Sequence, residues 1–295
     1  NGAWDFDFDD SGEAQSCHWE SNSYNLSKKI QVPFCFESEL SGIRETGFHD
    51  RCFYKRTFTL PSEWAEKQIL LHFGAVDYRC RVYIDETLCG EHEGGSAAFT
   101  FDITSYLKEF QGQHSIAVFV EDPATDETIP RGKQFWEEKS AGIWYTRTSG
   151  IWQTVWLEPV DPVNITGVKM TPDFDHNTLD LECTFSKLVS GMTLAVDIRF
   201  GEEIVSQDSY YVNSSTVFKR SIYLTGDKIF HTSVHSASRS WTPENPSLYD
   251  ITFTLKSGQD IYDYVESYFG MRKISIGKDE KGIDRIMLNN KPYFN

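Results

Sequence analysis

Apolar and polar residues alternate along many short stretches of this chain, and stretches with helical spacing are scarce. A period of two puts successive side chains on opposite faces of an extended backbone, so these stretches read as strands. They include Cys52–Leu60 (CFYKRTFTL), Ile69–Phe73 (ILLHF), Cys80–Asp85 (CRVYID), Ala97–Ile103 (AAFTFDI) and Ser115–Val120 (SIAVFV). Within Ala97–Ile103, Phe99, Phe101 and Ile103 fall on one face. Gly74, Gly90, the pair Gly94-Gly95 and Gly112 lie between the runs. Short strands recurring between turn residues predict an antiparallel sandwich. Two helical turns are expected. One is opened by Pro61-Ser62-Glu63-Trp64, and the other covers Ser105–Glu109 with Thr104 as its cap.

The densest pattern is Gly142–Glu158, GIWYTRTSGIWQTVWLE. Ile151–Leu157 reads as one continuous strand, with Ile151, Gln153, Val155 and Leu157 on one face and Trp152, Thr154 and Trp156 on the other. Ser149-Gly150 supplies the turn in front of it, at a place where a bulky residue resists positive φ. Pro159–Pro162 (PVDP) breaks the pattern and marks a boundary.

A second set of strands follows. Leu179, Leu181, Cys183 and Phe185 alternate, as do Leu194, Val196, Ile198 and Phe200. Val217–Leu224, Ile229–Val234 and Tyr249–Leu255 complete it. Roughly a hundred residues with about seven short strands is the size of an immunoglobulin-like sandwich. Beyond Gly270, Arg285–Leu288 and Lys291–Phe294 read as a hairpin turned by Asn289-Asn290. A strand pair with no body after it reads as the edge of a further domain.

The 295 residues suffice for two domains with real cores. An aromatic share of 15% argues against disorder. The net charge of −16 repels polyphosphate, so no nucleic-acid partner is expected. No apolar run approaches membrane-spanning length, so no membrane partner is expected either. The cysteines are Cys17, Cys35, Cys52, Cys80, Cys89 and Cys183, with no CxxC spacing. Reduced, structural thiols and a cytoplasmic origin are expected, ahead of a Cys80–Cys89 hairpin disulfide. The chain begins at Asn1 without Met or an apolar leader, and a signal removed earlier is left open. The eight histidines are scattered and form no HxH or HExxH, so no metal site is expected; no cofactor is expected.

Four segments carry a resemblance, in order. They are Phe99–Leu107 (FTFDITSYL), the run Gly142–Glu158 with Glu121-Asp122-Pro123 before it, Trp241–Tyr249 (WTPENPSLY), and Phe269–Arg272 (FGMR) with Met287–Phe294 (MLNNKPYF). Together they resemble glycoside hydrolase family 2, the β-galactosidase and β-glucuronidase superfamily, from about Val32 onward. WTPENPSLY is the most specific match. Its prolines force an irregular crossing, with Trp241 and Tyr249 plugging the sandwich end and Asn245 bonding its own backbone. Asp102 and Thr104 are read as turn formers. Met271 stands where the family usually has Phe, and Asn290 where it usually has Gly.

The resemblance implies an all-β fold: a jelly-roll sugar-binding domain over residues 1–160, an immunoglobulin-like sandwich over 161–268, and the start of a (β/α)₈ barrel at 269–295. It implies the non-catalytic N-terminal part of a retaining glycosidase, β-galactosidase-like, with both catalytic glutamates in the barrel. This chain alone would then be inactive. The expected partners are a carbohydrate substrate, reached through the full-length enzyme, and the barrel itself, with a homo-oligomer left open. A stand-alone carbohydrate-binding module is the alternative, and an adhesive protein of immunoglobulin-like repeats the third reading.

Retaining glycosidases need two facing carboxyl groups. Glu121-Asp122, Glu137-Glu138 and Glu202-Glu203 are neighbours in sequence and point apart in an extended run, so they read as solvated charges with Asp122 as the exception. In the family an acidic residue here lies on a loop reaching the sugar, which implies a substrate contact for Asp122. An Asx turn before Pro123 is the competing account. The loop Pro123–Ser140 carries Arg131, Lys133, Phe135 and Trp136, the aromatic-plus-polar mixture of sugar sites. Arg147 is read as a brace first and a substrate contact second, pairing with a carboxylate or stacking on Trp144. The candidate substrate-binding set is therefore Asp122, Arg131, Phe135, Trp136, Trp144 and Arg147.

Overall fold

The computed structural model describes residues 1–224 and 239–293. Contacts divide the chain into two compact units, Asn1–Val160 and Asp161–Asn295. Among the described residues, no helix is long and apolar enough to cross a membrane.

The first unit comprises β1 (Gly2–Phe8), β2 (Lys28–Val32), β3 (Arg51–Thr59), β4 (Gln68–Phe73), β5 (Val76–Asp77), β6 (Arg79–Ile84), β7 (Thr87–Glu93), β8 (Phe99–Asp102), β9 (Gln113–Glu121), β10 (Gly150–Ile151) and β11 (Val155–Val160). A six-stranded sheet in the order β2-β1-β3-β9-β6-β7 faces a three-stranded sheet, β11-β4-β8, and β10 pairs with β5. One core joins them. Phe6, Tyr54, Val82 and Val118 come from the large sheet, and Ile69, Leu71, Phe73 and Val155 from the small one. The alternate residues of β3 and β9, Phe53, Ala117 and Phe119, are buried too. The segment after β1 covers that outer face with Ala14, Trp19 and Leu26, so β9 reads as an uninterrupted apolar run.

Two expectations change here. Ile151–Leu157 is not one strand: the chain leaves the β5 pairing after Ile151 and joins β4 at Val155. At the crossing, Gly74 N donates to Thr154 O at 2.8 Å and the Trp152 indole donates to Gly95 O at 2.7 Å. Ile151 and Val155 point into the same core, so the alternation runs across a change of sheet. Thr104 does not cap a turn. It lies inside a three-residue 3₁₀ turn, Thr104–Tyr106, and Asp102 Oδ1 accepts from its N–H and hydroxyl at 3.0 and 2.5 Å. Both residues are turn formers, as read. Ser62–Trp64 forms the other expected turn.

The second unit comprises β12 (Ile165–Asp173), β13 (Thr178–Val189), β14 (Met192–Phe200), β15 (Glu203–Val212), β16 (Ser215–Tyr223), β17 (Tyr249–Ser257), β18 (Asp260–Phe269), β19 (Ile274–Lys278), β20 (Asp284–Leu288) and β21 (Lys291–Pro292). Sheets β12-β13-β16 and β15-β14-β17-β18 enclose a core that includes Leu181, Cys183, Val196, Ile198, Ile251 and Phe253. Tyr249 is fully buried and stacks on Phe269 at 5.0 Å. Trp241 N donates to Met271 O at 3.0 Å, and the Arg272 guanidinium lies 4.6 Å over the Trp241 ring. The Met271 side chain is itself in the core. Asn289 and Asn290 take φ of 51° and 63° and turn β20 into β21, so Asn does the work of Gly at the second position. The expected strand Ile229–Val234 and the residue Phe294 lie outside the described residues.

Candidate functional site

At one end of the six-stranded sheet, β9 finishes at Glu121 and the chain runs through residues 122–149 before re-entering at β10. Asp122 N donates to Asp50 O at 2.8 Å, which fixes where this loop departs. Three carboxyl groups meet the loop. Asp77, buried at the end of β5, accepts from Gln134 Nε2 at 2.7 Å. Asp122 Oδ2 accepts from the Ser149 hydroxyl at 2.5 Å. Glu37, 7% exposed, accepts from the Ser149 N–H at 3.2 Å through Oε2. The Asx-turn account of Asp122 has no such contact among its bonds, whose side-chain partner is Ser149.

Burial governs the electrostatics. It pushes Glu37 up to about 7, against the pull of the Ser149 hydrogen bonds and with help from the charge of Asp122. It also pushes Asp122 up to about 7, reinforced by Asp77 and opposed by the Ser149 bond and the Arg147 charge. Asp77 is raised by burial as well.

The loop is a folded body in its own right. Phe135 N donates to Tyr145 O at 2.8 Å and Tyr145 N to Lys133 O at 2.9 Å, which ties its two arms together. Gln134 spans them, donating to Asp77 and accepting from Thr148 N at 2.7 Å. Phe135, Trp136 and Trp144 form an aromatic cluster, with centroids 4.9 Å apart for Phe135–Trp136 and 5.0 Å for Trp136–Trp144. Phe135 is the buried member and Trp136 the exposed one, at 43%.

The candidate residues thus divide. Arg147 is buried and donates to the carbonyls of Phe135 and Glu137 at 3.3 and 2.9 Å and of Thr46 and Gly47. Its guanidinium lies 4.5 Å over the Phe48 ring, so neither a carboxylate partner nor the Trp144 stack is what holds it. Arg131 turns back on its own loop, donating to Ala124 O at 2.9 Å and to Asp126 O. Asp122, Arg131, Gln134, Phe135 and Arg147 line a cavity of about 10 Å³, the space of one water. Beyond Pro123 and Ile129 a wider cleft, about 250 Å³, runs past Asp50, Arg51, Tyr78, Arg79 and Asp126. Glu37, Asp77 and Gln134 were not among the sequence candidates. Glu137-Glu138 and Glu202-Glu203 are exposed, as read. All six cysteines are free. Among the described residues, no group of three or more His, Cys, Asp or Glu could hold a metal ion.

A β-sandwich with an acidic and aromatic loop at one end, succeeded in the chain by a sandwich with seven strands among the described residues, defines a two-module all-β protein. This chain belongs to glycosyl hydrolase family 2: residues 1–158 match the sugar binding domain of the family and residues 163–272 a second family 2 domain. The match begins at the first residue, ahead of the Val32 start read from the motifs. The chain is similar to a beta-galactosidase of Thermoanaerobacter pseudethanolicus, 23% identical over 292 residues, covering 99% of this chain and 35% of that protein. It is also similar to a beta-glucuronidase of Formosa agariphila, 25% identical over 243 residues, covering 77% of this chain and 24% of that protein. Its fold matches the solved beta-glucuronidase of Ruminococcus gnavus with a TM-score of 0.72 at 19% identity, over 99% of this chain and 46% of that one. The chain thus spans between a quarter and a half of the length of these relatives.

Proposed function

We propose that the complete protein is a retaining glycoside hydrolase that releases a terminal β-linked sugar, a β-galactoside ahead of a β-glucuronide. In this reading the present chain is its non-catalytic part, and both catalytic glutamates belong to a (β/α)₈ barrel that follows. The observation that carries it is the match of residues 1–158 and 163–272 to two successive family domains. The small sheet β19-β20-β21 adds support, because it exposes Ile274, Ile276 and Ile286. An apolar patch of that kind calls for a cover, and a following domain supplies one.

The loop 122–149 forms one wall of the sugar pocket in this reading. Trp136 and Trp144 offer aromatic faces to the apolar side of a pyranose, and Asp122 accepts hydrogen bonds from its hydroxyls. Phe135, Arg131 and Arg147 hold the wall in shape. Six free thiols support a reducing, cytoplasmic setting.

The test is the complete gene product assayed on aryl β-galactoside and aryl β-glucuronide, with the anomer of the released sugar followed by NMR. Hydrolysis with retention, faster on the galactoside, is expected, and no turnover by the present chain alone. Turnover by this chain, or millimolar binding of cello-oligosaccharides by it in calorimetric titration, would favour a self-sufficient enzyme or a binding module instead.

A further inference from the structure

The turn Ser149-Gly150-Ile151 is held from inside the first unit at each of its residues. Glu37 Oε2 accepts from Ser149 N, the buried Tyr54 hydroxyl accepts from Ile151 N at 3.3 Å, and Gly150 packs against that same hydroxyl. With the backbone fixed, the Ser149 side chain has little freedom, and its hydroxyl is committed to Asp122 Oδ2. The acceptor at Ser149 N is a carboxyl group buried to 7% exposure, whose second oxygen, Oε1, has no hydrogen-bond partner. An apolar surround charges a heavy desolvation penalty for a carboxylate, and a neutral carbonyl would satisfy one N–H at less cost. A buried acid in so poorly satisfied a position asks for a reason beyond packing.

We propose that Glu37 is a positioning residue: through Ser149 it sets the direction in which Asp122 presents its carboxyl group to the sugar. This rests on the reading that Asp122 meets substrate. Glu37 is far from the loop in sequence, 112 residues before Ser149, and reaches it only through the fold. Ser149 is the shared element. Its N–H faces Glu37 and its hydroxyl faces Asp122, so a shift at Glu37 is transmitted as a rotation of the Asp122 partner.

The complete enzyme tests this with four substitutions, each checked for folded fraction before assay. Asp122→Ala is expected to raise KM for the aryl glycoside about tenfold, and Ser149→Ala and Glu37→Ala about three- to tenfold, each the scale of one lost ordinary hydrogen bond. Glu37→Gln, whose amide carbonyl still accepts from Ser149 N, is expected to restore KM to within about twofold of wild type. In the Asp122→Ala background, Glu37→Ala should add less than about twofold, because the two act as one unit. An independent structural role would instead multiply the effects. If Glu37→Ala does not fold, Ser149→Ala carries the test, since it keeps the backbone N–H bond to Glu37 and removes the hydroxyl that links to Asp122. Unchanged KM in Asp122→Ala overturns the reading of Asp122 as a sugar contact. A raised KM in Asp122→Ala with unchanged KM in Ser149→Ala overturns the positioning role while leaving that contact standing.

Discussion

Gly150 lies directly against the Tyr54 hydroxyl: a Cβ on this glycine would stand 2.0 Å from the phenolic oxygen. Its φ of +80° adds a second reason that only glycine fits. Gly150→Ala combines backbone strain with a steric clash in a packed core and is expected to cost about 2–4 kcal/mol. Tyr54→Phe removes the obstructing oxygen but strands the Ile151 N–H, at about 1–2 kcal/mol. The double variant should then be less destabilised than the sum of the two. Denaturant unfolding of the first unit, followed for the three variants, checks this; strict additivity would place the clash elsewhere.

Glu37 and Asp122 give a pH dependence with a definite sign. Their ordinary values are 4.5 and 3.8, and burial raises both to about 7 in the folded state. Between about pH 4 and 7 the folded chain holds protons that the unfolded chain has released, so stability falls as pH rises through that window and levels off above it. The melting temperature of the first unit should decline from about pH 5 to 8, and Glu37→Gln, which cannot ionise, should shrink the decline. A wild-type-minus-variant difference that stays constant with pH would mean that Glu37 titrates as an exposed acid does.

Strands such as β4, β6, β9 and β17 were legible because their alternation reports the burial of one face, or of both, directly. The break between Ile151 and Val155 was not, since both point to one core and a period of two is blind to a change of pairing partner. β1 and β2 were missed, although Trp4, Phe6, Ile30 and Val32 alternate there and supply the edge of the large sheet. At the site, the aromatic loop and Asp122 were visible through their motif. Glu37 was not, as a single acid between Phe36 and Ser38 carries no local signal of its contact 112 residues away. For Arg147 the sequence offers a bracing role through a carboxylate or through its neighbour Trp144, whereas the side chain lies on Phe48 and bonds Thr46 O across 101 residues. Pattern finds elements and motifs; which distant group a buried side chain meets is decided by packing.

That packing makes Arg147 a sensitive point. Its planar fork reaches four carbonyls on two segments while covering Phe48, which a lysine ammonium on a flexible stem cannot match. Arg147→Lys is expected to cost about 1–2 kcal/mol, through lost donors to the buried Phe135 carbonyl and the part-buried carbonyls of Glu137, Thr46 and Gly47. The loss should show first as local opening of the loop, read by faster tryptic cleavage at the exposed Lys133 and Lys139 before global unfolding. Equal cleavage rates in wild type and variant would mean that the loop is held by its own hydrogen bonds and aromatic cluster without Arg147.

Phe135 and Trp136 are adjacent in sequence, touch at 4.9 Å, and yet should respond oppositely. Phe135 is 7% exposed and fills the base of the loop, so Phe135→Ala leaves a cavity and is expected to cost about 3 kcal/mol. Trp136 is 43% exposed, and Trp136→Ala should change stability by less than about 1 kcal/mol. In the complete enzyme the order reverses if the loop is a wall of the sugar pocket. Trp136→Ala should raise KM several-fold at unchanged melting temperature, the scale of one lost aromatic face. Phe135→Ala, assayed where it remains folded, should act on KM only through the displacement of Trp136. A Trp136→Ala enzyme with wild-type KM and kcat would remove this loop from the substrate's path and leave it a structural brace.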